Sequence, residues 1–563
     1  MTYDQVALSP AATESHRRMK QDGFGHSLMM QLFRPLLFVP AILVLLHQLA
    51  PADGGHVLVF PGEYSHWLNM RNILDELVKR NHSVTVLVSE ASPSVDYNNS
   101  RYATKFNFLV YKVPFSKSDL HGLTEELITF SMFEWHRSSI LKRILWSHDW
   151  TARSIDVLMR QCDSMFKDEQ LMATLRDSKF DAVLLDPVTI CGDLVADLLD
   201  LPLIVSLRLS FGGVMERHCG HAPAPPSYVP AAPLPYSDHM TFVERLINTV
   251  TYVSLSVMTE MFWRLRLDKY YTEVKGSPTS YCGTLGKADL WFIRTFWDIE
   301  TPKPIPPNFK HVGGLHCKPA NQLPADMEEF VQSSGDAGVV VVSFGSMVTN
   351  FTTETADVIA VALGQIPQKV IWKYKGSRPK TLMSNTKLYD WIPQNDLLGH
   401  PRTRAFVTHG GTNGLYEAVY HAVPMVGIPL FADQPDNIAR LSRRGAAVVL
   451  DFNSMTSDML RQALHDVINQ PGYKSSIQHL SNVHRDQPVA PLSTAAFWVE
   501  FVMRHGGAPH LRLASHELNW FQYHSLDVAG ALLVFLMITG ALCWAGIRGF
   551  LLRCRRGRRE KND

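Results

Sequence analysis

Residues 391–434 read WIPQNDLLGHPRTRAFVTHGGTNGLYEAVYHAVPMVGIPLFADQ and carry the clearest signals of the chain's architecture. An apolar run at 405–408 predicts a strand, which breaks into HGGTNG at 409–414 and restarts as a helix over 415–421. Glycines without a Cβ let backbone N–H groups approach an anion, and the N-terminus of the following helix attracts negative charge. A second apolar run at 425–429 delivers Asp433 and Gln434 to the same sheet edge. The stretch therefore predicts an anion-binding site in a parallel α/β sheet.

The polar, glycine and proline positions of this stretch follow one another in a specific order. They are Trp391, Gln394, His409, Gly411, Asn413, Glu417, Pro424, Pro429, Asp433 and Gln434. A lone glycine-rich turn would be weak evidence, because many nucleotide-binding folds contain one. The complete set resembles the donor-site signature of the UDP-glycosyltransferases, and most closely that of the membrane-bound UDP-glucuronosyltransferases of animals, of the family-2 type. The resemblance covers almost the whole chain after its N-terminal segment.

The resemblance implies how a UDP-sugar is held. The implied partners are uracil for Trp391 and Gln394, the diphosphate for His409, Gly411, Asn413 and Gly414, the ribose hydroxyls for Glu417, and sugar hydroxyls for Asp433 and Gln434. A second turn of small residues follows a predicted strand, and in the family it touches the phosphates; it adds Ser343, Gly345 and Ser346. UDP-glucuronate is expected as a co-substrate, and neither a tightly bound cofactor nor a metal is expected.

Transfer of a sugar to a hydroxyl also requires a base, which should lie across a cleft from the donor site. His66 follows the first predicted strand at a helix N-terminus, which disfavours the imidazolium form. Asp186 ends the predicted strand 182–185 on the same rim. The resemblance implies that His66 is the base, that Asp186 is its partner, and that direct displacement inverts the anomeric centre from α to β. The alternatives are a helix-capping or surface histidine and an aspartate that starts a turn before Pro187.

The donor sugar is indicated by Arg294. Glucuronate differs from glucose by a carboxylate, which a guanidinium binds through two parallel hydrogen bonds. In the segment WFIRT at 291–295, Arg294 stands where glucuronosyl members of the family carry an arginine linked to that role. A surface or domain-interface arginine is the alternative.

Strand and helix patterns alternate in two halves, as in a parallel α/β sheet. Strands are predicted at 56–61, 84–88, 106–113, 182–185, 203–207, 339–344, 370–374 and 447–450, and helices at 67–79, 193–199, 356–363 and 457–468. The resemblance implies the GT-B fold, in which two Rossmann-like domains face each other across a cleft. The predicted acceptor-binding domain spans 53–305, a linker rich in proline and glycine spans 306–320, and the UDP-sugar-binding domain spans 321–515. C-terminal helices of this family cross back to the first domain.

The C-terminal end predicts a membrane anchor. After a juxtamembrane segment at 516–527, residues 528–547 form an apolar run of bilayer-spanning length, and a basic tail at 548–563 follows. By the positive-inside rule the tail is cytoplasmic, and the arginine cluster argues against a buried core helix. The lipid bilayer is therefore an expected partner. The formal net charge of +1 gives no indication of nucleic-acid binding.

The N-terminal end predicts the secretory route. Residues 29–52 resemble a signal peptide, and 1–28 are interpreted as an upstream extension, with translation starting at Met29 or Met30. The chain is then a single-pass type I protein of the endoplasmic reticulum membrane with lumenal catalytic domains, and Lys561 fits part of a retrieval signal. Candidate glycan acceptors are Asn81, Asn98 and Asn350.

The cysteines and the acceptor side are less informative. The odd number of lumenal cysteines, Cys162, Cys191, Cys219, Cys282 and Cys317, predicts at least one free thiol, with buried structural cysteines favoured. Residues 242–267 form an apolar helical run with Met258 and Met261, which would dock on the membrane or wall a lipophilic pocket; a core helix is the more common alternative.

The function favoured by these features is transfer of glucuronic acid from UDP-glucuronate to small lipophilic acceptors, for clearance of xenobiotics or steroids. One alternative is another donor, such as UDP-glucose or UDP-N-acetylglucosamine. A second alternative is a catalytically silent subunit that regulates a related transferase, and homo- or hetero-oligomers with such transferases are a further expectation. The complete signature with His66 and Asp186 argues against a silent subunit.

Overall fold

The alternating pattern folds into two parallel sheets. The computed structural model describes residues 54–207, 213–231, 234–348 and 351–559. The predicted upstream extension and signal peptide at 1–52, the acceptor Asn350 and the tail residue Lys561 lie outside these residues.

Within the described residues, the first sheet has the strand order β3-β2-β1-β4-β5-β6-β7, and every neighbouring pair is parallel. Its strands are β1 (His56–Phe60), β2 (Ser83–Ser89), β3 (Asn107–Tyr111), β4 (Ala182–Leu185), β5 (Leu203–Leu207), β6 (Leu290–Ile293) and β7 (Phe309–His311). Apolar runs such as AVLL in β4 are buried throughout, because helices cover both faces of a parallel sheet. The predicted strands of this half are confirmed, and β6 and β7 are additional.

The second sheet, over the same described part of the chain, has the order β10-β9-β8-β11-β12-β13 and is also parallel. Its strands are β8 (Val339–Ser343), β9 (Lys369–Lys373), β10 (Thr386–Tyr389), β11 (Thr403–Thr408), β12 (Met425–Gly427) and β13 (Ala447–Val449). In both sheets the order reverses direction beside the first strand, between β1 and β4 and between β8 and β11. Ligands of open α/β sheets bind at the carboxyl ends of strands at such reversals.

Helices connect these strands and continue beyond them. In the first half they are α1 (Ser65–Lys79), α2 (Ser100–Ala103), α3 (Lys117–Thr129), α4 (Ile140–Phe166), α5 (Glu169–Asp177), α6 (Gly192–Leu198), α7 (Val214–His218), α8 (Phe242–Trp263), α9 (Lys269–Lys275) and α10 (Tyr281–Leu285). From there they are α11 (Ala325–Gln332), α12 (Thr353–Gly364), α13 (Gln394–Leu398), α14 (Thr412–Tyr420), α15 (Gln434–Arg443), α16 (Ser457–Asn469), α17 (Pro471–Arg485), α18 (Pro491–His505), α19 (Trp520–Tyr523) and α20 (Leu526–Arg559).

The helix α18 crosses back to the first sheet, as the family resemblance implies. Its apolar face, formed by Ala495, Ala496, Val499 and Val502, is fully buried in one core with Val57 and Trp67. The predicted donor domain 321–515 therefore contributes a layer to the opposite half.

The predicted linker begins too early. Within the predicted linker at 306–320, β7 pairs in parallel with β6 and so belongs to the first sheet. The proposed domain end at 305 cuts this strand off, because the prolines that mark a linker lie directly before an edge strand of only three residues.

Two apolar helices are exposed. In α8 the apolar side chains are 42% to 72% exposed at Phe242, Val243, Leu246, Ile247, Val250, Val253, Val257, Met258 and Met261, so the core-helix alternative is wrong. Among the described residues, the one helix long and apolar enough to cross a membrane is the segment Leu526–Arg556 of α20. It contains the predicted span 528–547.

Two disulfides cross-link segments of the first half. Cys162 pairs with Cys191 and Cys219 pairs with Cys282. Cys162, Cys191 and Cys219 are buried, as expected for structural cysteines. Sequence spacing could not reveal the pairing, because partners are joined by tertiary structure. Cys317, the remaining member of this group of five, is not disulfide-bonded, which agrees with the prediction of at least one free thiol.

Candidate active site

His66 and Asp186 lie together where the first sheet reverses its strand order. His66 sits in the first turn of α1, and Asp186 directly follows β4. Nδ1 of His66 lies 2.7 Å from Oδ2 of Asp186, and the two side chains are 17% and 3% exposed. The backbone N–H of Val188 donates to Oδ1 of Asp186 at 3.1 Å and fixes the carboxylate. The structure thus brings the predicted base and its predicted partner together.

The carboxylate determines which nitrogen of His66 can accept a proton. An ionised carboxylate only accepts hydrogen bonds, so Nδ1 carries the hydrogen and Nε2 keeps its lone pair. Gly62 allows this approach, since a Cβ at that position would lie 2.8 Å from Cβ of His66 and 2.9 Å from Cγ of Asp186. Tyr64, which precedes α1, has a φ of 53°, and such strained residues cluster at functional sites. His66 is therefore neither a helix cap nor a freely exposed histidine.

The predicted diphosphate turn follows β11 at the corresponding reversal of the second sheet. The helix α14 begins at Thr412 rather than at the predicted Leu415, so its first-turn N–H groups belong to the turn itself. The ring of His409 packs between Gly345 and Gly411, because a Cβ at these glycines would lie 2.7 Å and 2.5 Å from its Nε2. Gly345 also has a φ of 85°, which favours glycine. The turns after β8 and β11 are thereby packed together.

The other residues of the turn after β8 lie around Gly345. Ser343 is buried and Ser346 is half-buried. Nζ of Lys373, at the end of β9, donates to the carbonyl oxygen of Gly345 at 2.8 Å, and burial lowers the pKa of this lysine. Lys373 was not predicted, because a lysine that ends a strand is usually a surface residue. It adds a cation beside the phosphate turns.

The residues predicted for uracil and ribose are neighbours. Trp391, just before α13, is 69% exposed. Gln394 begins α13 and donates from Nε2 to Oε2 of Glu417 at 2.6 Å. Burial raises the pKa of Glu417 to about 7, although the hydrogen bond from Gln394 opposes the rise. A Cβ on Gly414 would lie 3.2 Å from Nε2 of Gln394, so this glycine leaves room for the amide.

Asp433 and Gln434 lie at the N-terminus of α15. Oδ2 of Asp433 accepts from Nδ2 of Asn437 at 2.8 Å and from Oγ1 of Thr412 at 3.2 Å. Oε1 of Gln434 accepts from the backbone N–H groups of residues 430–431 at 2.8 and 3.1 Å. Its oxygen therefore holds the loop before α15, and its Nε2 remains the group suited to a sugar hydroxyl.

A cavity that is open to solvent lies between the two halves. The first half lines it with Arg294 and with Tyr252 of α8, and the second half with Thr412, Asp433 and Asn437. Arg294 directly follows β6 and is only 4% exposed, so the alternative of a surface arginine is wrong. Its place at the domain interface puts a cation next to the predicted sugar-binding residues.

A buried charge cluster joins the two halves beside this cavity. Arg440 of α15 donates to Oε1 of Glu300 and to Oδ2 of Asp436, each at 2.6 Å. Glu300 also accepts from Oγ1 of Thr295, the residue after Arg294, at 2.9 Å. Burial alone would raise the pKa of Glu300, but the guanidinium of Arg440 holds it low, at about 2. The sequence pattern did not predict this cluster.

The family model described as "UDP-glucoronosyl and UDP-glucosyl transferase" matches residues 55–556. The chain is similar to UDP-glucuronosyltransferase 2A2 of Homo sapiens, with 53% identity over 485 residues that cover 85% of this chain and 89% of that protein. It is also similar to UDP-glucuronosyltransferase 2B9 of Macaca fascicularis, with 49% identity over 527 residues, or 90% of this chain and 96% of that protein.

Solved structures of glycosyltransferases share the fold. The chain is similar to CalG4, the calicheamicin glycosyltransferase, with a TM-score of 0.52 and 19% identity over 80% of this chain and 98% of that one. It is similar to the glycosyltransferase VinC with a TM-score of 0.53 and 18% identity, over 80% of this chain and 99% of that one. These structures confirm the GT-B arrangement of two Rossmann-like domains. With the family model matched over most of its length, the chain belongs to the UDP-glucoronosyl and UDP-glucosyl transferase family.

Proposed function

We propose that this chain transfers glucuronic acid from UDP-glucuronate to a hydroxyl, carboxyl or amine group of small lipophilic acceptors, with inversion, as in clearance of xenobiotics or steroids. The observation that carries the proposal is the cavity between the halves, in which Arg294 faces the same space as Thr412 and Asp433. A buried guanidinium next to the predicted sugar-binding residues is suited to bind the carboxylate of a glucuronosyl group through two parallel hydrogen bonds. The names of the relatives, UDP-glucuronosyltransferases, support the same donor.

The UDP part of the donor is held by the second half in this proposal. Trp391 stacks on uracil, and Glu417 accepts hydrogen bonds from the ribose hydroxyls. The turn from His409 to Gly414 and the N-terminus of α14 take the diphosphate, with Lys373 nearby. UDP-glucuronate is thus a co-substrate that leaves as UDP, and it is not a resident cofactor.

The first half supplies the base. The acceptor O–H gives its proton to Nε2 of His66 while the acceptor oxygen forms a bond to the anomeric carbon. The bond from that carbon to the diphosphate breaks, and UDP leaves with the electron pair. Asp186, 2.7 Å from Nδ1, orients the ring and stabilises the imidazolium that forms. A single displacement of this kind inverts the anomeric configuration.

A donor panel tests the proposal. Membranes containing the full chain are incubated with UDP-glucuronate, UDP-glucose and UDP-N-acetylglucosamine, each with a set of phenols, steroids and bile acids. We expect turnover with UDP-glucuronate. Turnover with UDP-glucose and none with UDP-glucuronate would establish the alternative donor, and no turnover with any donor would favour the silent subunit.

Replacing Arg294 with glutamine should reduce turnover of UDP-glucuronate much more than turnover of UDP-glucose. Loss of a buried charged hydrogen bond to the sugar carboxylate is expected to lower kcat/KM for UDP-glucuronate by about 10- to 100-fold. Any turnover of UDP-glucose should change by less than about threefold, since that sugar offers no carboxylate. Arg461→Gln, on the exposed surface of α16, is the matched control. An equal loss for both donors would mean that Arg294 has no role in selecting the sugar.

The pKa of Glu417 predicts how donor binding depends on pH. If only the ionised carboxylate accepts the ribose hydroxyls, a pKa of about 7 makes UDP-glucuronate bind about tenfold more tightly at pH 8 than at pH 6. The measurement is equilibrium binding of UDP-glucuronate, whose phosphates do not titrate in this range. Glu417→Gln should abolish the pH dependence. A variant that keeps the slope of the wild type would exclude Glu417 as its source.

We further propose that both halves lie in the lumen of the endoplasmic reticulum, with α20 across the membrane and the basic tail in the cytoplasm. The disulfides of the first half support this, because such bonds persist in oxidising compartments. Asn81 and Asn98 are exposed and available for glycans. Glycosidase treatment of protease-treated microsomes provides the test, and a cytoplasmic, glycan-free catalytic body would contradict the orientation.

A further inference from the structure

We propose that Asn69 is a positioning residue that connects the helix carrying the base to the turn that binds the diphosphate; this rests on the proposed function. Asn69 lies one helical turn after His66 on α1 and is 2% exposed. Its Nδ2 donates to Oδ1 of Asn413 at 2.8 Å, across the boundary between the halves. The base and the donor turn are thereby joined through one hydrogen bond and one turn of helix.

The contacts of His316 show which side chain donates in the hydrogen bond between Asn69 and Asn413. Nδ2 of Asn69 also lies 3.3 Å from Nδ1 of His316, and Nε2 of His316 lies 3.0 Å from the carbonyl oxygen of Asn413. A carbonyl only accepts, so Nε2 of His316 carries the hydrogen and Nδ1 accepts. Both hydrogens of the Asn69 amide are then used, one toward Asn413 and one toward His316. Asn69 acts only as a donor in this network.

This donation determines how Asn413 meets an anion. Because Oδ1 of Asn413 accepts from Asn69, the carbonyl end of its side-chain amide faces Asn69 and the donating NH₂ end faces away from it. A phosphate accepts hydrogen bonds and repels a carbonyl oxygen, so the reverse orientation would weaken binding at the N-terminus of α14. Asn69 therefore orients an amide in the opposite half for the diphosphate and keeps α1 in register with it.

A double-mutant cycle on UDP binding tests this role. In the full chain, Asn69→Ala is expected to weaken UDP binding about tenfold, as the lost orientation of Asn413 would require. In an Asn413→Ala background the same change should have less than about a twofold effect, because the amide to be oriented is gone. General destabilisation would weaken binding equally in both backgrounds. Additive losses, or an unchanged affinity of Asn69→Ala, would overturn the proposal.

Asn72 provides a matched control on the same helix. Its Nδ2 donates to backbone carbonyls of α1, at 2.9 Å to Leu68 and 3.1 Å to Asn69, so Asn72→Ala should leave UDP affinity unchanged. If Asn69→Ala does not fold, Asn69→Ser is taken through the same cycle, because its hydroxyl is smaller and still polar. UDP binding does not depend on the donor sugar or on turnover. A chain that binds UDP with this coupling but forms no glucuronide would refute the proposed function alone.

Discussion

Replacing His66 with glutamine is expected to lower kcat for glucuronide formation by about 10³-fold, within the range of a lost general base. The amide nitrogen of glutamine can still reach Asp186, but it has no lone pair that can take the acceptor proton. Binding of UDP-glucuronate should change by less than about threefold, because the residues proposed to bind UDP lie in the other half and Arg294 is unchanged. Steady-state kinetics and equilibrium binding on the same preparation measure both quantities.

Asp186→Asn should reduce kcat to a similar extent, since the 2.7 Å contact with Nδ1 of His66 would no longer involve a charge. Because the two residues act as one unit, the kcat of the double variant should be little lower than that of the less active single variant. His465→Gln, on the exposed face of α16, is the control and should match the wild type. If His66→Gln retains turnover within about fivefold of the wild type, the base has been assigned wrongly.

Replacing Arg440 with methionine is expected to destabilise the protein by about 3–5 kcal/mol. Methionine keeps an unbranched, flexible apolar stem but leaves Glu300 and Asp436 buried without their shared cation. For a domain of this size, the loss corresponds to a fall of about 10 °C in the apparent thermal midpoint. Differential scanning fluorimetry of the detergent-solubilised chain at pH 7 measures the midpoint.

The destabilisation caused by Arg440→Met is expected to depend on pH. In the wild type the pKa of Glu300 is lowered to about 2, so its ionised form stabilises the folded state. This stabilisation is complete at pH values above the ordinary pKa of a glutamate, and it is lost as the pH falls through about 2. Asp436 shifts the other way, because burial raises its pKa more than Arg440 lowers it. In the variant both carboxylates are buried and unpaired, so their pKa values rise and they become neutral at higher pH. The difference between variant and wild type should therefore shrink from pH 7 to pH 5.

Arg461→Gln is the control for this comparison. Arg461 pairs with Asp458 at 3.5 Å on the surface, and an exposed pair of this kind contributes little, so its midpoint should stay within about 1 °C of the wild type. An Arg440→Met variant that melts within about 2 °C of the wild type would show that the cluster does not support the folded state.

Much of the fold could be predicted because its signals are local. The run VVVVS of β8 and the run TRAFVT of β11 are apolar segments bounded by turn residues, and the glycines that follow each strand mark where the chain must approach a ligand closely. His66 and Asp186 were predicted to share one rim because each follows a strand of the same sheet. The additional strand β7 was missed because prolines surround a run too short to show a period.

The contacts that join the halves could not be predicted from local patterns. Asn69 and Asn413 are 344 positions apart, and Arg440 and Glu300 are 140 positions apart. The pairing of such residues depends on how two separately folded sheets meet, which a single sequence does not encode at short range. The same limit applies to Cys219 and Cys282, which are 63 positions apart.

Because α18 returns to the first sheet, the core of the first half is completed only after the second half has been synthesised. The last strand of that sheet ends at His311, yet Ala496 and Val499, which close one side of its core, are made much later. During translation the first half therefore waits with an apolar face uncovered, in the interval when partly folded domains aggregate or bind chaperones. A chain cut after residue 490 would keep every candidate site residue and still lack the last layer of the acceptor half.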